Sequence, residues 1–524
     1  MNEREIVRKL LAFKDGRALP SGETIHFHVA DDNNLLIVAF VRMGGESRPW
    51  GIAYGKPGEE PEILAVPEAR NLDLVGRMVA TFSPTLLKHL HAPGHCSTDL
   101  GGPNDTTPLR QVWVPNPTHL DMIHYLAFAY TYTRSGGDNT ELLKSCGRAC
   151  SWLFRESQRP GTQLVRVATG ALRDAYTFPT ETVRQGHLGF LLAWLNAGTS
   201  GTAVEEMAAE AERLPIATSL DPSVENDQLS PEVAAWGDAD KAGKSRVAKR
   251  HERAIASILT DELKRRWDLT EEAIEKLRAD TRRPNALIES LINETRSEQW
   301  KQYVRFELQE ADPEDGPAFH PSVETDHHPA AAASRFFVHD ASAEFLATLL
   351  LHDDAELLSE AIADGDAIKG EIVDVVDEAA GTRKTRPVWT IRDTSRRELR
   401  IRVGTELALA GFKNRTGRLR SITEDPDGSL LIKFAILNLV KAKPQFSAPH
   451  DRPPVDQQMI GHEVALVRTS MDGISRRKAG RVWSAEGPGA WLTHGRAGGV
   501  NALVADGDND EFDEVVEGIQ EMNA

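Results

Sequence analysis

Residues 403–410 read VGTELALA, and the pattern returns as IGHEVALV at residues 460–467. Further along, TGRLRS at residues 416–421 is followed by a matching AGRVWS at residues 479–484. The blocks recur in the same order, and from about residue 366 the apolar residues follow the two-residue period of β-strands. We therefore expect two tandem small β-barrels in this part of the chain.

The sequence upstream of the repeat predicts two further domains. Short alternating runs near the N-terminus are typical of an antiparallel sheet, and a helical period begins at residue 72. The fold class is therefore an α+β multidomain protein: an N-terminal antiparallel sheet with a packed helix, a central helical domain and two tandem barrels. The predicted boundaries are 1–110, 111–365, 366–430 for the barrel with a basic face, 431–505 for the second barrel, and 506–524 for an acidic tail.

Length and composition indicate a large globular protein. The chain has 524 residues, of which 40% are hydrophobic and 27% charged, and this length exceeds what one ordinary core supports. Three cysteines do not suffice for a disulfide framework and fit a reducing compartment. The apolar runs are far shorter than a bilayer span. We expect a cytoplasmic protein without membrane contact.

Charge is distributed unevenly along the chain. The net charge of −18 predicts that the whole molecule repels nucleic acid at long range. Residues 367–496, however, hold 23 Lys and Arg against 15 Asp and Glu, which leaves a local charge of +8. The repeat region is therefore the part of the chain that can attract a polyanion.

Arginines concentrate on one predicted strand of the first barrel. In residues 399–403, LRIRV, alternation places Leu399 and Ile401 on one face and Arg400 and Arg402 on the other. Rows of this kind neutralise phosphates, and an exposed tryptophan stacks on bases. The predicted nucleic-acid-binding residues are Arg383, Arg386, Arg400, Arg402, Arg418, Arg420, Arg481 and Trp389.

These features predict a non-catalytic binding or scaffold subunit of a larger complex, with DNA or RNA and further proteins as partners. An alternative is an adaptor that binds only protein, in which the same arginines form ion pairs with carboxylates. The helical block has no nucleophile elbow, dinucleotide fingerprint or HExxH motif, so the sequence favours no enzyme and no cofactor.

A second alternative is a metal-dependent hydrolase or nuclease. A polar stretch carries His320, Glu324, Asp326, His327 and His328, and further His-Asp pairs follow at residues 339–340 and 352–354. Histidine and carboxylate side chains are common metal ligands, but these spacings match no established ligand pattern. The sequence therefore assigns no metal ligand.

Overall fold

The computed structural model is a mixture of helices and several sheets with a closed six-stranded barrel near the C-terminus, which confirms the predicted mixture of helix and sheet and the presence of a barrel. The predicted tail at 506–524 lies outside the residues that the structure describes. Those residues are 3–44, 48–91, 109–134, 136–181, 183–196, 201–310, 339, 342–343, 346–379, 385–395, 398–437 and 456–469.

A five-stranded sheet forms the centre of the N-terminal part. In spatial order its strands are β5 (Glu62–Ala65), β4 (Pro49–Gly55), β3 (Leu35–Arg42), β6 (Gln111–Val114) and β7 (Val165–Val167). The first three are antiparallel, as predicted, whereas β6 and β7 continue the sheet in parallel. The sheet is therefore mixed, and its last two strands come from the region predicted to be helical.

Helices cover both faces of this sheet, which explains why β3 is an unbroken apolar run. Helix α9 (Ser245–Arg278) packs on one face, where a Cβ at Gly51 would lie only 2.7 Å from Leu263. Helix α2 (Leu72–His91) packs on the other, with the rings of Phe82 and Tyr54 centred 5.0 Å apart. A glycine in β4 thus allows the long helix to approach closely.

Other short strands and helices surround the sheet. One apolar core includes residues from Ala18 to Leu277, so the sheet and the helices around it are packed as a unit across the predicted boundary at 110/111. Two short pairs, β1 (Leu19–Pro20) with β8 (Tyr176–Thr177) and β2 (Thr24–Ile25) with β9 (Arg283–Pro284), tie the N-terminal segment to this unit. Further α-helices in the described part of the chain include α1 (Glu3–Asp15), α3 (Pro117–Tyr130), α4 (Thr140–Ser157), α5 (Ala168–Ala175), α6 (Leu188–Asn196), α7 (Gly201–Glu212), α8 (Ser230–Lys241), α10 (Leu287–Glu310) and α11 (Ala355–Ala363).

The described C-terminal strands close into one barrel, whereas two were predicted; residues 438–455 and 470–505 of the second lie outside the described part of the chain. The VGTELALA block and its counterpart IGHEVALV both contribute to this barrel, because β12 (Glu406–Leu409) and β15 (Glu463–Arg468) are adjacent antiparallel strands. The predicted division at 430/431 falls inside β14 (Leu430–Ile436), which pairs with β13 (Phe412–Glu424). In spatial order the barrel runs β10 (Ala367–Ala379), β11 (Thr385–Asp393), β14 (Leu430–Ile436), β13 (Phe412–Glu424), β12 (Glu406–Leu409) and β15 (Glu463–Arg468), which returns to β10.

Helix α11 joins the barrel to the rest of the molecule. Its Ile362 packs on the outer face of the barrel against Ala408 and Val467. At its N-terminus the buried Asp354 carboxylate accepts hydrogen bonds from the backbone of Leu357 (3.0 Å) and from the backbone and hydroxyl of Thr24 (2.9 and 2.8 Å). Burial opposes ionisation of this carboxyl, but the hydrogen bonds from Leu357 and Thr24 hold its pKa below the ordinary value.

Two buried histidines brace the sheet from the helices. His119 of α3 accepts a hydrogen bond from the Phe40 backbone at Nδ1 and donates from Nε2 to the Ile216 carbonyl, both at 3.0 Å. His89 of α2 donates from Nε2 to the Gln111 carbonyl at 2.9 Å. Burial lowers the pKa of His119 to about 3 and that of His89 to about 4, so both rings are neutral in the folded protein.

These histidines predict that the free energy of unfolding falls with pH already well above the pH range in which carboxylates titrate. A folded-state pKa below the unfolded value of about 6.5 means that the stabilisation is complete above pH 6.5 and is lost as the pH falls towards 4. Each histidine should contribute about 2 kcal/mol of this loss between pH 7 and pH 5. Urea unfolding at both pH values measures the loss. In His119→Gln the difference between the two pH values should shrink by that amount, whereas His124→Gln, at an exposed site on the same helix, should leave it unchanged.

Candidate binding surface on the barrel

A segment at residues 398–405 covers one end of the barrel. Leu399 and Ile401 pack into the barrel core, whereas Arg400 and Arg402 are exposed. The predicted alternation is therefore present, but the segment forms no regular strand, and Val403 is 57% exposed instead of sharing the inner face. The apolar side chains fill the end of the barrel, and the arginines that alternate with them project into solvent.

Glycine at position 365 allows this segment to lie close to the start of β10. Gly365 has a φ of +78°, and a Cβ there would collide with the carbonyl of Glu398. The Arg400 backbone N–H donates to the Gly365 carbonyl at 2.9 Å. This backbone contact fixes where the Arg400 side chain leaves the surface.

Arginines from three parts of the sequence gather at this end of the barrel. The Gly404 N–H donates to the Leu419 carbonyl at 2.7 Å, which brings the covering segment beside β13. The Arg468 guanidinium donates to the Arg400 carbonyl at 3.4 Å, which brings the end of β15 to the same place. We call this set the arginine rim; it consists of Arg400, Arg402, Arg418, Arg420 and Arg468.

Two carboxylates neutralise part of the rim. Asp366 lies 3.4 Å from the Arg400 guanidinium and 3.7 Å from that of Arg468. Glu406 lies 3.0 Å from the Arg418 guanidinium, its cross-strand partner. Arg402 and Arg420 are exposed, and no carboxylate in the described part of the chain lies within ion-pair distance of either. The rim therefore carries an excess of positive charge, concentrated at these two residues.

Arg386 is not among the arginines that the contacts above bring to this end of the barrel. Arg386 lies in β11 opposite Glu378, near the far end of the long β10 strand. At about 3.3 Å per strand residue, the twelve residue steps from Asp366 to Glu378 correspond to roughly 40 Å along β10. Arg383 and Arg481 lie outside the described residues, so their part in the surface stays a prediction.

Trp389 is in the barrel core, which corrects its predicted exposure for base stacking. The side chain is 1% exposed, and its ring centroid lies 5.9 Å from that of Phe434. The buried Arg415 guanidinium lies 5.8 Å from the Trp389 centroid. The alternation of β11 turns Trp389 inward with Ile391, a register that the apolar pattern alone could have indicated.

The carboxylates of the sequence 352–354 have structural partners. Asp353 forms an ion pair with Arg283 at 2.9 Å and accepts from the Ala286 backbone at 2.8 Å, and Asp354 caps α11. Within the described ranges, no three His, Cys, Asp or Glu side chains form a group that could hold a metal. The histidine-rich stretch at 320–328 lies outside those ranges.

Sequence reasoning missed the acidic members of the site and Arg468. Asp366 directly precedes β10, and Glu406 is the first residue of β12. Only closure of the barrel, through the pairing of β10 with β15, brings Asp366 close to Arg468. The signal for Arg468 was its position directly after the second repeat block, where the strand ends. Long-range strand pairing, which the sequence does not show, determines the rest.

The rim arginines should be replaceable without unfolding the protein. Because their ion pairs are solvent-exposed, changing any one of them to Gln should alter the free energy of unfolding by less than about 1 kcal/mol. Trp389→Ala, which opens a cavity in the barrel, should cost about 3–5 kcal/mol. Urea unfolding followed by circular dichroism compares them. A rim variant as unstable as Trp389→Ala would show that the rim is part of the folding core.

None of the described helices has an apolar stretch long enough to cross a bilayer. Comparison of the chain with protein-family models, curated proteins and solved structures gives no match.

Proposed function

We propose that this protein is a non-catalytic binding subunit that holds the phosphate backbone of DNA or RNA on the arginine rim. The observation that carries the proposal is the charge balance of the rim, where five guanidinium groups face two carboxylates. Guanidinium groups bind phosphate oxygens through paired, charge-assisted hydrogen bonds, and their hydration is weaker than that of lysine. Arg402 and Arg420 are the residues best placed to bind a phosphate without breaking an existing ion pair.

The rim favours contacts to the backbone of a nucleic acid over contacts to its bases. Its described members are arginines, and the nearby tryptophan, Trp389, is buried and cannot stack on a base from the surface. Phosphate contacts position a nucleic acid without reading its sequence. We therefore expect weak sequence preference and a steep dependence of affinity on salt.

The charge on the rest of the molecule supports a localised mode of binding. Outside residues 367–496 the chain holds 64 Asp and Glu against 38 Lys and Arg, so most of its surface repels a polyanion. Such a protein orients a nucleic acid towards the rim and keeps it away from the helical part. The same field leaves that helical part suited to contacts with other proteins.

A protein partner with an acidic surface is the second candidate. The observation in its favour is that Arg400, Arg418 and Arg468 already pair with carboxylates of the barrel itself. An acidic partner could replace Asp366 and Glu406 in the same geometry. This alternative differs from the first because it requires no affinity for phosphate.

Binding of labelled oligonucleotides tests the proposal directly. We expect Arg402→Gln/Arg420→Gln to weaken binding of 30-nucleotide single-stranded DNA or RNA, or of 30-base-pair duplex DNA, by about tenfold at low salt. The slope of log affinity against log salt should fall by about 2, one for each lost phosphate contact. Fluorescence anisotropy over a salt series gives both values.

Two further variants make the test specific. Arg246→Gln/Arg253→Gln removes the same charge from exposed positions on α9 and should leave affinity nearly unchanged. Asp366→Asn releases Arg400 and Arg468 and should strengthen binding. Equal affinities of the rim variant and the α9 control would exclude the rim as the binding surface, and absence of binding by the unaltered protein would leave the acidic protein partner as the better explanation.

A further inference from the structure

Helix α1 presents its large apolar side chains to solvent. Ile6, Val7, Leu10 and Leu11 are 39%, 52%, 62% and 45% exposed, respectively. Positions i, i+1, i+4 and i+5 share one side of a helix, so these side chains form a continuous stripe. Soluble helices normally turn such a stripe towards the core, and an exposed one marks an interaction surface.

The packing of α1 holds the helix with this stripe outward. On the opposite side, Arg8 pairs with Glu360 at 3.0 Å and with Glu356 at 3.2 Å, both on α11. Arg8 also donates to the Pro20 carbonyl, and Ala12 is completely buried. Rotating the helix to bury the stripe would break these ion pairs and expose Ala12, so the apolar face is a stable feature of the fold.

We propose that this stripe binds α1 of a second copy of the chain in an antiparallel helix pair. The residue types along the helix are self-complementary in that orientation. With the two-fold axis between positions 8 and 9, Ile6 faces Leu11 and Val7 faces Leu10 of the other copy. Position 3, a glutamate, then faces position 14, a lysine, at each end of the pair. In the sequence, residues of opposite charge therefore occupy matching positions at both ends of an apolar centre, and each contact occurs twice, as an isologous interface requires.

The chemistry around the stripe favours a second copy over a membrane surface. Helices that lie on membranes carry Lys and Arg along their polar side, which anionic lipids attract. The polar positions of α1 include Glu3, Glu5 and Asp15 besides its basic residues, and the chain as a whole has a net charge of −18. Both features reduce attraction to anionic lipid, whereas alternating charges suit a second helix of the same sequence.

The interface is small, so the dimer should be weak and dependent on concentration. One pair of 13-residue helices buries less than the roughly 1,200 Å² that is typical of stable complexes. We expect a dissociation constant on the order of 10 µM, in the range of transient interfaces. This inference concerns α1 alone and does not depend on the function proposed for the arginine rim.

Sedimentation equilibrium of the full chain between 1 and 200 µM tests the pair. The unaltered protein should shift from monomer to dimer across this range, and Val7→Gln/Leu10→Gln should weaken association at least tenfold. Leu72→Gln changes an equally exposed leucine on α2 (62% in both cases) and should associate like the unaltered protein. Circular dichroism melting of each variant shows whether it is folded.

Substitution of the charged residues at the two ends of α1 tests the antiparallel orientation separately. Lys14→Glu should weaken association because like charges then meet at both ends, and Glu3→Lys/Lys14→Glu should restore it. A protein that remains monomeric at 200 µM, or a Val7→Gln/Leu10→Gln variant that still dimerises normally, would overturn the proposal. Binding of the unaltered monomer to vesicles of phosphatidylcholine and phosphatidylserine without dimerisation would assign the stripe to membrane contact instead.

Discussion

The Asp354 carboxylate is the interaction on which the arrangement of the C-terminal part depends. It accepts hydrogen bonds from Thr24, in the N-terminal segment, and from Leu357, in the first turn of α11. One ionised group thus satisfies free N–H groups at a helix N-terminus and in a short strand. Because α11 packs on the outer face of the barrel, this buried contact at the start of α11 helps to fix the position of the barrel.

The segment that covers the end of the barrel also exposes arginine side chains at the surface. The open end of the barrel needs apolar cover, which Leu399 and Ile401 provide without forming a strand. Because Arg400 and Arg402 alternate with these apolar residues, their charged side chains point outward at this end of the barrel. Asp366, just before β10, offsets some of this charge, and Gly365 admits the segment at close range. Structural closure and the arginine rim are therefore two consequences of the same alternating sequence.

The sequence predicted local patterns better than the pairing between them. The repeat at 403–410 and 460–467 correctly indicated strands of a small barrel, but that both strands belong to the same barrel depends on β12 pairing with β15, some 60 residues later. Strands β6 and β7 have four and three residues, too few for a period of two to distinguish them from the surrounding helices. Alternation placed Arg400 and Arg402 in solvent correctly, whereas Asp366 and Arg468 meet only through closure of the sheet.

The two proposed surfaces are connected through a single helix. α11 contacts the barrel through Ile362 and holds α1 through Glu356 and Glu360, so the stripe and the arginine rim belong to one packed structure. If two copies pair through α1, each contributes a rim in a position fixed by the same contacts. A nucleic acid long enough to span both rims would then gain from effective concentration, because the second contact becomes intramolecular. A weak dimer and a modest phosphate site could in this way combine into firm binding of long chains, while short fragments would reach one rim and dissociate readily.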